Sequence, residues 1–220
     1  MKKYFLILIT FVLLQTAAQA ETIHYNILQL GVKAGEASLI FVGPSIYKTR
    51  NVFLIEFKAK GMNFLDEEKI YLNPQDLRPD IVERNLNIFG HKERIVEEYI
   101  QKEGTVRVIK IVNEKVTEEK IVKQTPLDNI YGFIYRYRRD GSFKIGDVIE
   151  VNLPTKDLKI QLLKQLPLRV GGKTYDSFYM QSKPSKYKIW FDASQDKLPL
   201  RISGAIGIAN TAMVMTSYEK

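Results

Sequence analysis

The chain has 220 residues, with 33 Lys+Arg against 25 Asp+Glu, 45% hydrophobic and 11% aromatic side chains, and no cysteine. That length suits one domain around a single core, and the plentiful aromatic and β-branched residues exclude a disordered or collagen-like chain. Without cysteine there is no disulfide scaffold, thiolate-bound metal, thiol catalysis or acylated lipoprotein start.

In chain order, Lys2 and Lys3 precede an apolar run of 11 residues from Tyr4 to Leu14, broken only by Thr10. Ala18-Gln19-Ala20 then gives the small-x-small pattern of a signal-peptidase site, with Glu21 as first mature residue. The run falls short of the roughly 18 residues of a spanning helix. The expectation is therefore a cleaved signal peptide over 1–20, a single domain over 21–220 without a transmembrane segment, and a periplasmic location. Without Lys2 and Lys3 the basic residues number 31 against 25 acidic, a net +6. That modest surplus speaks for a solvated surface with access to anionic lipid or polysaccharide, and against nucleic acid as partner.

Strand signals then recur to the end of the chain. Thr22 to Ile27 alternates, with Ile23, Tyr25 and Ile27 on one face. Gly31 to Gly35 reads as a turn, Glu36 to Val42 as the returning strand, and Val52 to Ala59 as the next. A charged meander follows over 80–89, 94–100, 105–112 and 115–122, with turns at Gly90-His91-Lys92, Lys102-Glu103-Gly104 and Asn113-Glu114. Its Lys and Glu residues, including Glu97-Glu98, suit the wet side of an antiparallel sheet, where opposite charges pair across strands. One segment breaks the period: after Pro126, Asp128 is placed as an N-cap, and Ile130, Phe133, Ile134 and Tyr137 form the stripe of an amphipathic helix that Gly141 stops. Strands resume over 148–153, 158–165, 168–170, 174–180, 186–192, 198–203 and 208–218, with a hairpin turn at Gly171-Gly172. The fold expected is all-β and mainly antiparallel, a single curved or rolled sheet or open barrel with one short amphipathic helix.

No catalytic set stands out. The two histidines, His24 and His91, lack metal-ligand spacing, and no Gly-x-Ser-x-Gly elbow is present. Asp192-Ala-Ser194-Gln-Asp196 opens like a calcium loop, but Lys197 and Ser203 stand where Gly and Glu are needed, so it reads as a turn. Glu36, Asp128 and Asp192 form a carboxylate set only if folding brings them together. No catalytic residue, metal or cofactor is expected. The 12 Tyr, 11 Phe and one Trp, Trp190, either line a cavity in a curved sheet or fill an ordinary core.

Three blocks resemble the exported bacterial family of domain of unknown function 3108. Gly31-Val32-Lys33-Ala34-Gly35-Glu36-Ala37 looks like its Gly-x-x-Ala-Gly-Glu-Ala signature. Asp128, Tyr135 and Arg138 with Gly146-Asp147 are similar to its central block, although Asn129 and Tyr131 stand where Pro and Ser are usual. Ile189-Trp190-Phe191-Asp192 followed by Asp196-Lys197-Leu198-Pro199-Leu200 looks like its C-terminal pattern. The resemblance implies a periplasmic antiparallel β domain and no established activity. The candidate binding residues are Glu36, Tyr135, Arg138, Trp190 and Asp192, beside the plainer reading of Trp190 as a core anchor. The leading expectation is a non-enzymatic envelope protein holding an apolar or amphipathic, lipid-like ligand. The alternative is a module that docks on an envelope protein or polysaccharide through the charged meander.

Overall fold

The computed structural model describes residues 20–123, 125–206 and 210–220, so the expected export segment lies outside the described residues. From the start the alternation works as a sorting device: in β1 (Glu21–Gln29) Ile23, Tyr25 and Ile27 are buried. There follow β2 (Val32–Tyr47), β3 (Arg50–Gly61), β4 (Phe64–Leu72), β5 (Pro79–Ile88), β6 (His91–Ile100), β7 (Thr105–Val112) and β8 (Lys115–Val122), with burial falling away toward β8, which is exposed almost throughout. Helix α1 (Ile130–Asp140) leads into β9 (Val148–Leu153), β10 (Lys156–Val170), β11 (Lys173–Lys183), β12 (Lys188–Asp192), β13 (Pro199–Ser203) and β14 (Thr211–Glu219). The expected fold class is what forms. All 14 strands make one antiparallel sheet in the order β8-β7-β6-β5-β4-β3-β2-β1-β14-β13-β12-β11-β10-β9.

Two up-and-down meanders are thus joined by the first and last strands, with Ile23 opposite Tyr218 and Ile27 opposite Met213. Register shifts at Phe41/Gly43 in β2, Leu162/Lys164 in β10 and Trp190/Phe191 in β12 bend the strands. Such bulges add twist and let a long sheet coil upon itself. The edges β8 and β9 do not pair with each other. A strap between β8 and α1 bridges them instead: Leu127 pairs with Asn152 of β9, and the Asp128 N–H donates to the Asn152 carbonyl at 2.8 Å. Gln101, in the one-turn helix after β6, donates to Leu127 O and accepts from Leu127 N.

The inner face of the roll is filled by α1. Seven of its 11 residues are buried, and successive turns meet successive strands. Gly132 packs on Leu72 of β4, Tyr131 stacks on Phe57 of β3 at 4.5 Å, Tyr135 on Phe41 of β2 at 4.6 Å, and Arg138 reaches Glu21 of β1. The helix therefore crosses the strands. On its other side Tyr137, Phe143, Phe191 and Phe178 form a chain of rings 4.6–5.9 Å apart. Of the two readings of the aromatic side chains, a cavity lining or an ordinary core, these rings take the second.

Three expectations change. The helix is capped by Asn129, whose side chain accepts from the Tyr131 and Gly132 N–H groups. Asp128 is not the cap; it is fully buried and paired with Arg78 at 3.2 Å and Arg136 at 2.6 Å. The strand β4 is additional, because its buried face carries Asp66 and Glu68 and so hides the apolar alternation. Finally, β10 runs unbroken through Pro167, which lies opposite Asp176.

Gly35 and Gly61 face each other across β2 and β3, and a Cβ on Gly35 would lie against the Lys60 carbonyl, one on Gly61 2.6 Å from the Ala34 carbonyl. Gly35→Ala should lower stability by about 1–3 kcal/mol through this forced backbone shift. The check is a lower urea midpoint at unchanged slope; an unchanged midpoint would mean that the two backbones are not this close.

Candidate functional site

The expected site residues fall in four separate places. Glu36 is exposed on the outer face of β2, where Lys33 donates to it at 2.6 Å and holds its carboxyl below the usual range. Asp192 closes a turn by accepting from the Ser194 N–H and hydroxyl, which is the turn reading of that loop. Trp190 is not a core anchor: it lies half-buried on the outer face between Tyr179, at 4.7 Å, and the Arg201 guanidinium, at 5.2 Å. The reason is register, since its neighbours Ile189 and Phe191 point inward and are fully buried. Glu36, Asp128 and Asp192 keep separate partners and form no carboxylate set.

Only Tyr135 and Arg138 come together. The Arg138 guanidinium forks onto Glu21, donates twice to the Asp196 carbonyl at 3.0 and 3.3 Å, and lies 5.2 Å above the Tyr135 ring. Tyr218 also donates to Glu21, at 3.0 Å. Desolvation opposes the Arg138 charge, but Glu21 outweighs it and raises the guanidinium above its ordinary value. Burial, then the Glu21 charge, pushes the Tyr135 hydroxyl up. With the Arg138 and Glu21 side chains only 10% and 13% exposed, this pair ties α1 to β1 and leaves no room for a ligand.

A concave site exists elsewhere, at one margin of the sheet. An antiparallel meander places the β1–β2, β3–β4 and β5–β6 turns on the same side; the Phe89 N–H donates to Asn63 O at 2.8 Å and joins the last two, while the Leu30 N–H of the first donates to Asn210 O, just before β14, at 3.4 Å. Between these turns opens a cavity of about 340 Å³ lined chiefly by Ile27, Ala34, Met62, Phe64, Ile88 and Phe89. The hairpin tips around it are apolar and wet: Met62, 93% exposed, and Phe89, 80%, line the cavity, and Leu30, 81%, and Val32, 71%, stand in the adjoining β1–β2 hairpin. Grouped exposure of this kind marks an interaction site, whereas single exposed apolar residues are ordinary.

Two of these tip residues also break turn chemistry. Leu30-Gly31 and Phe89-Gly90 are two-residue hairpin turns with positive φ throughout, 50° at Leu30 and 52° at Phe89. Such positions favour Asn, Asp or Gly, and a bulky apolar residue there is an outlier. The signal for them in the sequence is a large apolar residue before Gly where Asn-Gly is usual.

Residues 22–216 match the family described as "Protein of unknown function (DUF3108)". The chain belongs to the DUF3108 family. No curated protein matches it. Among solved structures, it is similar to a crystal structure of a beta-barrel-like protein of domain of unknown function DUF1849 from Brucella abortus. That likeness has a TM-score of 0.50 at 8% identity, covers 91% of this chain and 97% of the other, and concerns the fold alone. In this DUF3108 chain the segment Gly31 to Ala37 contributes one side chain to the mouth. Ala34 lines it, and Gly35 lets β2 approach Gly61 behind it.

Arg138→Ala leaves Glu21 with its charge buried and its main partner gone, so it should cost about 3–5 kcal/mol by urea denaturation. Phe57→Ala should cost a similar 3–5 kcal/mol as a core truncation, and Trp190→Ala clearly less than Phe57→Ala. Equal losses at Phe57 and Trp190 would contradict the outward placement of the indole.

Proposed function

We propose that this DUF3108 chain is an exported, non-enzymatic protein that holds an apolar or amphipathic, lipid-like ligand at the mouth between the β1–β2, β3–β4 and β5–β6 turns. The carrying observation is the apolar cavity of about 340 Å³ lined by the exposed Met62 and Phe89, with the exposed Leu30 and Val32 in the adjoining β1–β2 hairpin. Its size is at the lower end of small-molecule sites, suited to one end of a chain-like molecule with the remainder outside. Each such exposed side chain withdrawn from water contributes about 1.5–3 kcal/mol, so a few together support useful affinity. The export pattern of residues 1–20 and the absence of a catalytic set in the sequence fit a binding role in the envelope. Among the described residues no helix is long and apolar enough to cross a membrane, and no acid or histidine cluster is fit for a metal.

The alternative, docking through the charged meander, has weaker support. Part of its outer charge is spent across strands, where Arg107 pairs with Glu98 at 3.2 Å and Glu118 at 2.7 Å and Lys110 with Glu93 at 2.8 Å. The remaining charges are of both signs and are spread along the strands, which is the ordinary wet face of a sheet.

The test is titration of the mature protein with a single-chain zwitterionic detergent below its micellar concentration, alongside native mass spectrometry and organic extraction of protein isolated from the periplasm. Saturable binding is expected, with loss of about tenfold or more in affinity in Leu30→Asn/Phe89→Asn. Since Asn suits both turns better, that variant should be at least as stable as the parent. Detergent binding that the double substitution leaves unchanged would overturn the assignment of the mouth.

A further inference from the structure

A second cavity, of about 210 Å³, lies on the inner face of β4, β5 and β6 beside the start of α1, and its chemistry is opposite to that of the mouth. Register puts its charged residues side by side, with Glu68 opposite Arg84 and Glu97 opposite Val82. Arg84 spends its fork on Asp66, with Nε–Oδ1 at 2.7 Å and Nη2–Oδ2 at 2.6 Å. Glu68 is left with a glancing 3.3 Å approach from Arg84 Nε. Glu97 accepts from the Tyr99 hydroxyl at 2.6 Å, and the structure shows no ion pair for it among the described residues. Lys186, at the rim, is the other cation.

Tyrosines complete the wall. Tyr99, Tyr131 and Tyr187 all line the cavity and are 6%, 1% and 5% exposed. The Tyr131 hydroxyl has no hydrogen-bond partner among the described residues, although it is buried within this lining. A buried orphan hydroxyl costs about 1–3 kcal/mol unless something supplies the missing bond. Burial pushes the Glu68 carboxyl up to about 8, with Asp66 and Glu97 adding to the rise and Arg84 opposing it. Burial also raises Glu97, against Tyr99 and Arg84.

We propose that this cavity binds a small organic ammonium ion, its N–H groups donating to Glu68 and Glu97 and its cationic end lying among the rings of Tyr99, Tyr131 and Tyr187. An anion would meet two carboxylates, and a purely apolar molecule would leave the Tyr131 hydroxyl without a partner and would add nothing to the single contacts of Glu68 and Glu97. With all three acids ionised, Asp66, Glu68 and Glu97 exceed Arg84 and Lys186 by one negative charge, which a monocation neutralises. Carboxylates beside tyrosine faces are the chemistry that recognises an alkylammonium group. The sign of the linkage follows: Glu68 is largely protonated at neutral pH, a bound cation favours its ionised form, and binding releases a proton. Apparent affinity therefore rises as pH climbs from the mildly acidic range to about 8 and levels off once Glu68 is ionised in the free protein.

The experiment is calorimetric titration of the mature protein with propylammonium chloride, propanol and sodium propionate, in two buffers of different ionisation enthalpy. Saturable binding of the ammonium ion alone is expected, with proton release at neutral pH that vanishes well above the Glu68 titration. Glu68→Gln and Glu97→Gln should each weaken binding about tenfold or more while circular dichroism shows the sheet intact, and Glu68→Gln should also abolish proton release. No saturable binding of propylammonium to the folded protein, equal binding of propanol or propionate, or unchanged affinity in both Gln variants would overturn the proposal. Leu30→Asn/Phe89→Asn should bind propylammonium normally, so failure of the ligand mouth and failure of this cavity are read independently.

Discussion

Everything in the roll depends on α1 lying across the strands. A 14-stranded sheet that is not closed by its own edges needs another reason to stay curled. The helix supplies it by presenting apolar side chains around most of its circumference, Tyr131 and Tyr135 to β2 and β3 and Tyr137 toward β12. A helix apolar on so many sides belongs inside a core, and here the sheet is the wall of that core. The strap before it, with Leu127 and Asp128 on β9 and Gln101 behind, places the helix start at the seam. The Arg138–Glu21 pair fixes the other end to the first strand.

A filled roll changes where function is to be sought. Once the helix occupies the interior, the concave places that remain include one apolar and one polar cavity. Both depart from local patterning: Leu30 and Phe89 hold turn positions suited to Asn or Gly, and Glu68 and Glu97 hold sheet positions suited to Val or Ile. Such departures from otherwise consistent patterning tend to collect at functional places.

The sequence made the architecture readable where one face of each strand is apolar, as in Ile23, Tyr25 and Ile27, and where the period changes to that of a helix at Ile130. It concealed β4, because Asp66 and Glu68 occupy its inner face, and with β4 it concealed the polar cavity. Among the adjacent pair Glu97-Glu98, nothing in composition tells that one side chain turns inward and the other outward; only cross-strand register does so. Trp190 was misjudged for the same reason. Its size argued for the core, yet the flanking Ile189 and Phe191 had already claimed the inner face. Tyr135 and Arg138, candidate binding residues in the sequence, meet in the structure, where they fasten the helix and do not form an opening.

The pairing of β1 with β14 gives the chain an unusual order of assembly. Each meander, β1 to β8 and β9 to β14, is made of hairpins between consecutive strands, so each half can nucleate from local contacts. Their junction, however, joins residues such as Thr22 and Glu219, which stand at opposite ends of the described chain. That contact carries the largest loop-closure cost in the molecule. The two half-sheets are thus free to form early while the groove that will receive α1 stays open, and the roll acquires its final curvature only when the last strand docks beside the first.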